Sequence, residues 1–121
     1  MKRLSLSFVG VLSLVSMLSG CGGASSSRAS TIAGLTGTAT NGSSVYANTC
    51  SSCHASNATG GGGTGPDGGL LYPSLVERSK ALSETDFIGF TLNGVPGTSM
   101  ISYSTLTDQQ LADVYAYVKS M

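Results

Sequence analysis

The segment Cys50-Ser51-Ser52-Cys53-His54 decides how this sequence is read. It places two thiols on one turn of a predicted helix, with an imidazole directly after the second thiol. The chain has three cysteines and one histidine, and this segment contains two of the cysteines and the histidine. A chain of 121 residues is long enough for one small domain. We therefore expect that domain to be organised around this segment.

The pattern C-x-x-C-H is typical of covalent attachment of a c-type haem. The two thiols can add to the two vinyl groups at one edge of the porphyrin, and His54 then lies under the ring and can bind the iron. A thioredoxin-like redox pair would need a βαβ pattern, and none is visible. Zinc needs four ligands, and only Cys21 could join these three. A Cys50–Cys53 disulfide would close a very short loop, stabilise little and leave His54 unexplained.

Three helices are predicted around this site, and no strand. The first covers about 43–52. The second covers about 84–92, where Ser83 is the cap and Asn93-Gly94 the stop signal. The third begins at Thr107 with a capping box and has a regular apolar face formed by Leu111, Val114, Tyr115 and Val118. A glycine-rich loop over 60–69 separates the first two helices. The expected fold class is all-α, with long loops that wrap a non-protein group.

Residues 1–20 have the features of an export signal. A positive start, Met1-Lys2-Arg3, precedes a mostly apolar stretch over 4–18 and then small residues. The apolar stretch is shorter than the ~20 residues of a membrane span, so a span is the weaker alternative. The residues Leu18-Ser19-Gly20-Cys21 resemble a bacterial lipobox, which implies that Cys21 becomes the lipid-bearing first residue of the mature chain. The alternative is ordinary cleavage that leaves a free Cys21 thiol.

Residues 21–41 are predicted to be the lipid-bearing cysteine followed by a flexible tether. Small and polar residues dominate this stretch, and its only large apolar residues are Ile32 and Leu35. Such a composition buries too little apolar surface to offset the entropy of ordering. The folded domain is therefore predicted over 42–121.

The folded region resembles a class I cytochrome c, a small monohaem electron carrier. Gly42-x-x-Val45-Tyr46-x-x-x-Cys50 is similar to the first helix of that family, and Tyr117-Val118 to its last helix. In the family a glycine and an aromatic residue allow these two helices to cross closely. The resemblance covers residues 42–121 and implies one haem c, bound covalently through Cys50 and Cys53 and ligated by His54.

The resemblance also implies roles for loop residues. The family has a proline whose carbonyl accepts the proton on the second ring nitrogen of the iron-binding histidine. Pro73-Ser74-Leu75 matches the family's Pro-x-Leu better than Pro66 and its neighbours do. Pro73 is therefore preferred, with Leu75 against the haem. Tyr103 stands where an aromatic residue commonly covers the haem edge.

The sixth iron ligand is predicted by elimination among the four methionines. Met1 and Met17 leave with the export signal, and Met121 is the terminal residue. Met100 remains, in a segment that resembles the family's methionine loop, although Ile101 rather than proline follows it. Ligation by His and Met raises the reduction potential. If Met100 only packs the loop, Lys80 or an open site would replace it.

These features predict a monomeric electron carrier at the periplasmic or cell surface, and not an enzyme. Six basic and six acidic side chains leave no patch for nucleic acid. The mature chain keeps only two lysines, Lys80 and Lys119, so we expect a weak, largely apolar contact with redox partner proteins. Gly22 after the lipid-bearing Cys21 favours the outer membrane. The alternative function is a haem-based sensor or gas-binding domain, in which Met100 leaves the iron or never binds it.

Overall fold

The computed structural model describes residues 27–64 and 70–121. Over these ranges the chain forms six helices and one two-stranded antiparallel hairpin. In chain order the elements are α1 (Ser27–Ala33), α2 (Ala39–Thr49), α3 (Ser51–His54), β1 (Gly61–Thr64), β2 (Leu70–Tyr72), α4 (Leu75–Ala81), α5 (Glu84–Asn93) and α6 (Asp108–Lys119). The expected all-α class is confirmed, since the helices form the core and the hairpin is confined to one loop. No helix in the described ranges is both long enough and apolar enough to cross a membrane.

The centre of the fold is the crossing of α2 and α6. A side chain at Gly42 would overlap the Asp113 carbonyl and come within 2.9 Å of the Tyr117 Cβ atom. The Tyr46 and Tyr117 rings meet beside this point, with their centroids 5.4 Å apart. The close crossing that the family resemblance implied is therefore confirmed, and the missing side chain at Gly42 is what permits it.

Helix α5 begins and ends, and helix α6 begins, where their local signals predict. The Ser83 hydroxyl accepts the Asp86 N–H at 3.1 Å, and α5 ends at Gly94, whose φ is +71°. The Thr107 hydroxyl accepts the Gln110 N–H at 3.2 Å, and the Gln110 side chain accepts the Thr107 N–H at 2.9 Å. The Ser83 cap and the Thr107 capping box each join residues only three positions apart, so the sequence contains the whole signal.

The first predicted helix, over 43–52, is wrong at both ends. Helix α2 begins at Ala39, and a short separate turn, α3, carries the end of the cysteine motif. The Thr38 N–H donates to the Asp113 carboxylate at 2.7 Å, so α6 supplies a partner for the start of α2. This capping contact joins residues 75 positions apart and leaves no local signal.

The flexible tether predicted over 21–41 is also wrong for the part that the structure describes. Residues 27–33 form α1, which packs against α5 and α6, and both Ala29 and Ile32 are fully buried. Arg28 fastens α1 to the loop before α6. Its guanidinium donates at 2.8 Å to the Asp108 carboxylate and to two backbone carbonyls, those of Ser104 and Leu106. The boundary predicted at residue 42 therefore lies too late. The predicted signal peptide and Cys21 lie outside the described residues.

Two further elements were missed between the motif and α5. Helix α4 begins where the Ser74 hydroxyl accepts the Glu77 N–H at 3.2 Å. The glycine-rich loop predicted over 60–69 forms β1 in part, with Gly61 paired to Tyr72. Strand β1 is three glycines and a threonine, and β2 has only three residues, so neither strand shows the alternation of apolar and polar residues that would predict it. Pro66 lies outside the described residues.

Candidate haem site

A single cavity of about 460 Å³ gathers the residues that the sequence singled out. Its wall is built by α3, the β2–α4 connection, α5 and the loop between α5 and α6. All seven candidate residues that the structure describes line it, namely Cys50, Cys53, His54, Pro73, Leu75, Met100 and Tyr103. The structure thus brings together residues that are up to 53 positions apart in the chain.

His54 is the last residue of α3 and is 7% exposed. Its Nδ1 atom lies 3.0 Å from the Pro73 carbonyl oxygen. A carbonyl can only accept, so Nδ1 carries the proton and Nε2 keeps a lone pair. Pro73, the preferred of the two prolines, therefore makes the contact implied by the family resemblance. A hydrogen bond of this kind fixes the tautomer and orientation of a metal-binding imidazole.

The two cysteines of the motif are free thiols in the structure. Burial is the main reason that the pKa of the Cys50 thiol rises to about 11, and the neighbouring Cys53 thiol adds to it. A redox-active pair needs a lowered thiol pKa, so this environment argues against thioredoxin-like chemistry. Among residues 27–64 and 70–121 no three His, Cys, Asp or Glu side chains are grouped so that they could hold a metal ion.

Met100 reaches the cavity on a loop that closes on itself. The Val95 N–H donates to the Met100 carbonyl at 3.0 Å, and the Met100 N–H donates to the Thr98 hydroxyl at 3.1 Å. A side chain on Gly94, which has a positive φ, would lie 2.6 Å from the Met100 carbonyl oxygen. Glycine at position 94 thus lets the chain turn back so that Met100, half-buried, faces the cavity.

Tyr103 links the methionine loop to the cysteine motif. Its hydroxyl donates to the Thr49 carbonyl at 3.3 Å, one residue before Cys50, and its N–H donates to the Thr91 carbonyl at 3.0 Å. Burial is the main cause of the raised pKa of the Tyr103 hydroxyl. The phenol therefore stays neutral at physiological pH, and Tyr103 joins the part of the wall beside the cysteine motif to the part formed by α5.

Several wall residues were not recognised from the sequence as part of the site. Tyr72 stands edge-on to the His54 ring, with the centroids 6.4 Å apart. Arg78 is the one charged side chain on the described part of the wall. The remainder of the missed set is apolar or uncharged and comprises Leu82, Phe87, Phe90, Thr91, Val95, Thr98, Ser99 and Val114. Phe87 and Phe90 lie three positions apart, a spacing typical of one helix face, but that spacing does not indicate what the face contacts.

The donor set of this cavity fits a haem. The wall is predominantly apolar, one imidazole keeps a free ring nitrogen, and two thiols stand beside it at the spacing that covalent attachment requires. The helical fold and this site together define a small c-type cytochrome domain.

The comparison with protein families agrees with this class. A family model described as "Cytochrome C oxidase, cbb3-type, subunit III" matches residues 37–118, and the chain belongs to this family. Searches of the curated proteins and of the solved structures each returned no significant match. The protein is thus a c-type cytochrome that binds haem c covalently and takes part in haem-based electron transfer. The match begins after α1, so that helix lies outside the matched residues.

Proposed function

We propose that the protein is an exported, lipid-anchored electron carrier whose haem iron is bound axially by His54 and Met100. The hydrogen bond between His54 Nδ1 and the Pro73 carbonyl carries this proposal, because it leaves Nε2 as a free ligand atom on the cavity wall. The haem supplies the one-electron chemistry. The residues of the chain bind and orient it, and their apolar side chains exclude water from it.

Met100 is the best candidate for the second axial ligand. It lines the same cavity as His54 and lies on the loop between α5 and α6, far from the cysteine motif in the sequence. Its soft thioether sulfur favours ferrous iron and so raises the reduction potential. Lys80 is a poor substitute, because its side chain is 63% exposed, pairs with Glu77 at 3.1 Å and does not line the cavity. Met121 is an exposed terminal residue.

The chain on either side of the motif and around Met100 is uncharged, and Arg78 is the one charged side chain on the described part of the cavity wall, which supports a mainly uncharged contact with redox partners. No Asp, Glu, Lys or Arg occurs over 29–66 or 87–107, the stretches that contain Cys53 and Met100. Ile101, next to Met100, is 64% exposed. We therefore propose that redox partners present a mainly apolar face and that the protein acts as a monomer. The matching family is described as a subunit of an oxidase, so a membrane-bound oxidase is one partner to test.

The anchor is proposed from the lipobox resemblance. Cys21 would carry the lipid on the periplasmic side, and Gly22 favours the outer membrane. Cys21→Ser should release the cytochrome from the membrane without loss of its haem, and the mass of the N-terminal peptide of the wild type should show a lipidated Cys21. An unmodified N-terminus, or a variant that stays membrane-bound, would contradict the anchor.

Ligand replacement tests the proposed iron ligation. Met100→Ala should bind carbon monoxide readily in the reduced state, lose the low-spin ferric spectrum and have a lower potential. Met121→Ala is the matched control, since it removes a methionine side chain from the exposed terminus, and it should behave as wild type. Wild-type protein that already binds carbon monoxide rapidly, with a spectrum that Met100→Ala leaves unchanged, would instead support the haem-based sensor.

A further inference from the structure

The Tyr46 side chain makes a buried polar contact that the electron-carrier proposal does not use. Tyr46 is 1% exposed, and its hydroxyl donates to the Ala55 carbonyl at 2.7 Å while lying 3.4 Å from the His54 carbonyl. Packing against Tyr117 requires only the ring. The hydroxyl therefore has a separate structural partner, which is the point where the chain leaves α3 directly after His54.

This exit is strained. Ala55 has φ +64° and ψ 160°, a conformation found almost only in glycine. Such a residue persists only where its surroundings hold it in place. Two donors reach the Ala55 carbonyl, the Tyr46 hydroxyl at 2.7 Å and the Ala58 N–H at 3.2 Å. The Tyr46 bond is the shorter of the two and comes from another helix, so it ties this turn to the α2–α6 crossing.

The same turn is hydrogen-bonded both to the backbone of His54 and to the segment that carries the partner of its ring. The Gly60 N–H donates to the His54 carbonyl at 3.1 Å, and the Leu75 N–H donates to the Ala58 carbonyl at 2.8 Å. The second bond secures the segment that carries Pro73, whose carbonyl accepts from His54 Nδ1. A shift at Ala55 would therefore move the imidazole and its hydrogen-bond acceptor relative to each other.

We propose that the Tyr46 hydroxyl is a positioning group for His54, and that it holds the strained Ala55 turn so that Nε2 keeps a fixed direction into the cavity. This inference rests on the proposed role of His54 as an iron ligand. Tyr46→Phe removes one oxygen and keeps the ring. Tyr117→Phe is the matched control, since it alters the other ring of the same pair and its hydroxyl makes no hydrogen bond within the described residues.

The informative measurement is the acid midpoint, the pH at which half of the low-spin spectrum is lost as a proton displaces iron from Nε2. Tyr46→Phe should raise this midpoint and shift the reduction potential, whereas Tyr117→Phe should change neither. Since one proton competes for one nitrogen, a threefold to tenfold loss of ligand affinity corresponds to about half to one pH unit.

A second substitution separates positioning from simple stability. Ala55→Gly accepts the positive φ without strain, so the double variant Tyr46→Phe/Ala55→Gly should recover the wild-type midpoint and potential. If Tyr46→Phe takes up no haem, haem uptake by the double variant supports the proposal. If neither variant takes up haem, the proposal is overturned. A Tyr46→Phe protein that is less stable in urea, yet has the wild-type midpoint and potential, also overturns it. If the spectrum of the wild-type protein shows that no histidine binds the iron, the proposed function itself is refuted.

Discussion

Replacement of Ile32 by alanine tests whether α1 belongs to the folded domain. Ile32 is fully buried in the shared core, and the change removes three carbon atoms. Lost transfer free energy of about 0.8 kcal/mol per carbon gives about 2.4 kcal/mol. The cavity left behind adds to this, and Ile→Ala changes in cores cost about 2–5 kcal/mol. Because α1 lies close to one end of the domain and can relax inward, we expect about 2–3 kcal/mol.

Urea unfolding of the haem-loaded protein, followed by far-ultraviolet circular dichroism, measures this loss directly. For a domain of this size it corresponds to a fall in Tm of roughly 10–20 °C. Leu35→Ala is the matched control, since Leu35 is 37% exposed and follows the end of α1. Its change should cost less than about 1 kcal/mol. Equal and negligible effects of the two substitutions would show that residues 27–35 behave as a tether and would refute the placement of α1.

Three other predictions follow from the packing and the charges. Gly42→Ala should push α2 away from α6 and cost about 1–3 kcal/mol in urea unfolding, and a wild-type midpoint would contradict the close crossing. Electron transfer to a partner should change less than about twofold between low and physiological salt, because the surface near Met100 is uncharged; a steep decline would indicate charged docking. Burial raises the pKa of Glu84, against an opposing effect of Lys119, so the native state binds this proton more tightly than the unfolded state. Stability should then fall as the pH rises through the acidic range, and Glu84→Gln should remove that part of the fall in urea midpoints.

Several features predicted correctly from the sequence have a signal that is entirely local, whereas the Gly42 crossing and the Pro73 contact were implied by the family resemblance. The capping contacts of Ser83 and Thr107 each span three residues, and the cysteine motif spans five. Met100 could be singled out because so few methionines compete with it. Its position on the cavity wall agrees with that choice, while its bond to iron stays a prediction.

Most of the features missed depend on contacts between distant segments, and helix α4 is the exception because its Ser74 cap is local. Ala29 and Ile32 provide only a minimal apolar face, and it is α5 and α6 that bury it. The Asp113 carboxylate extends the start of α2 from the far end of the chain. One strand of the hairpin is mostly glycine, which has no side chain to show a pattern, and the other has only three residues. A window of ten or fifteen residues contains none of this information, because the partner surface lies outside it.

If Cys21 carries the proposed lipid, α1 also limits how far the cytochrome can move from the membrane. With the proposed lipid on Cys21, only residues 22–26 separate the anchor from the first residue of α1. Six steps along a fully extended chain reach about 20 Å, whereas the twenty-one steps to residue 42 would reach about 70 Å. A haem protein on so short a linker would diffuse in the plane of the membrane. It would therefore meet partners in the same bilayer at a high effective concentration. Its electrons would therefore pass to proteins beside it in the same membrane, and not across the space to another.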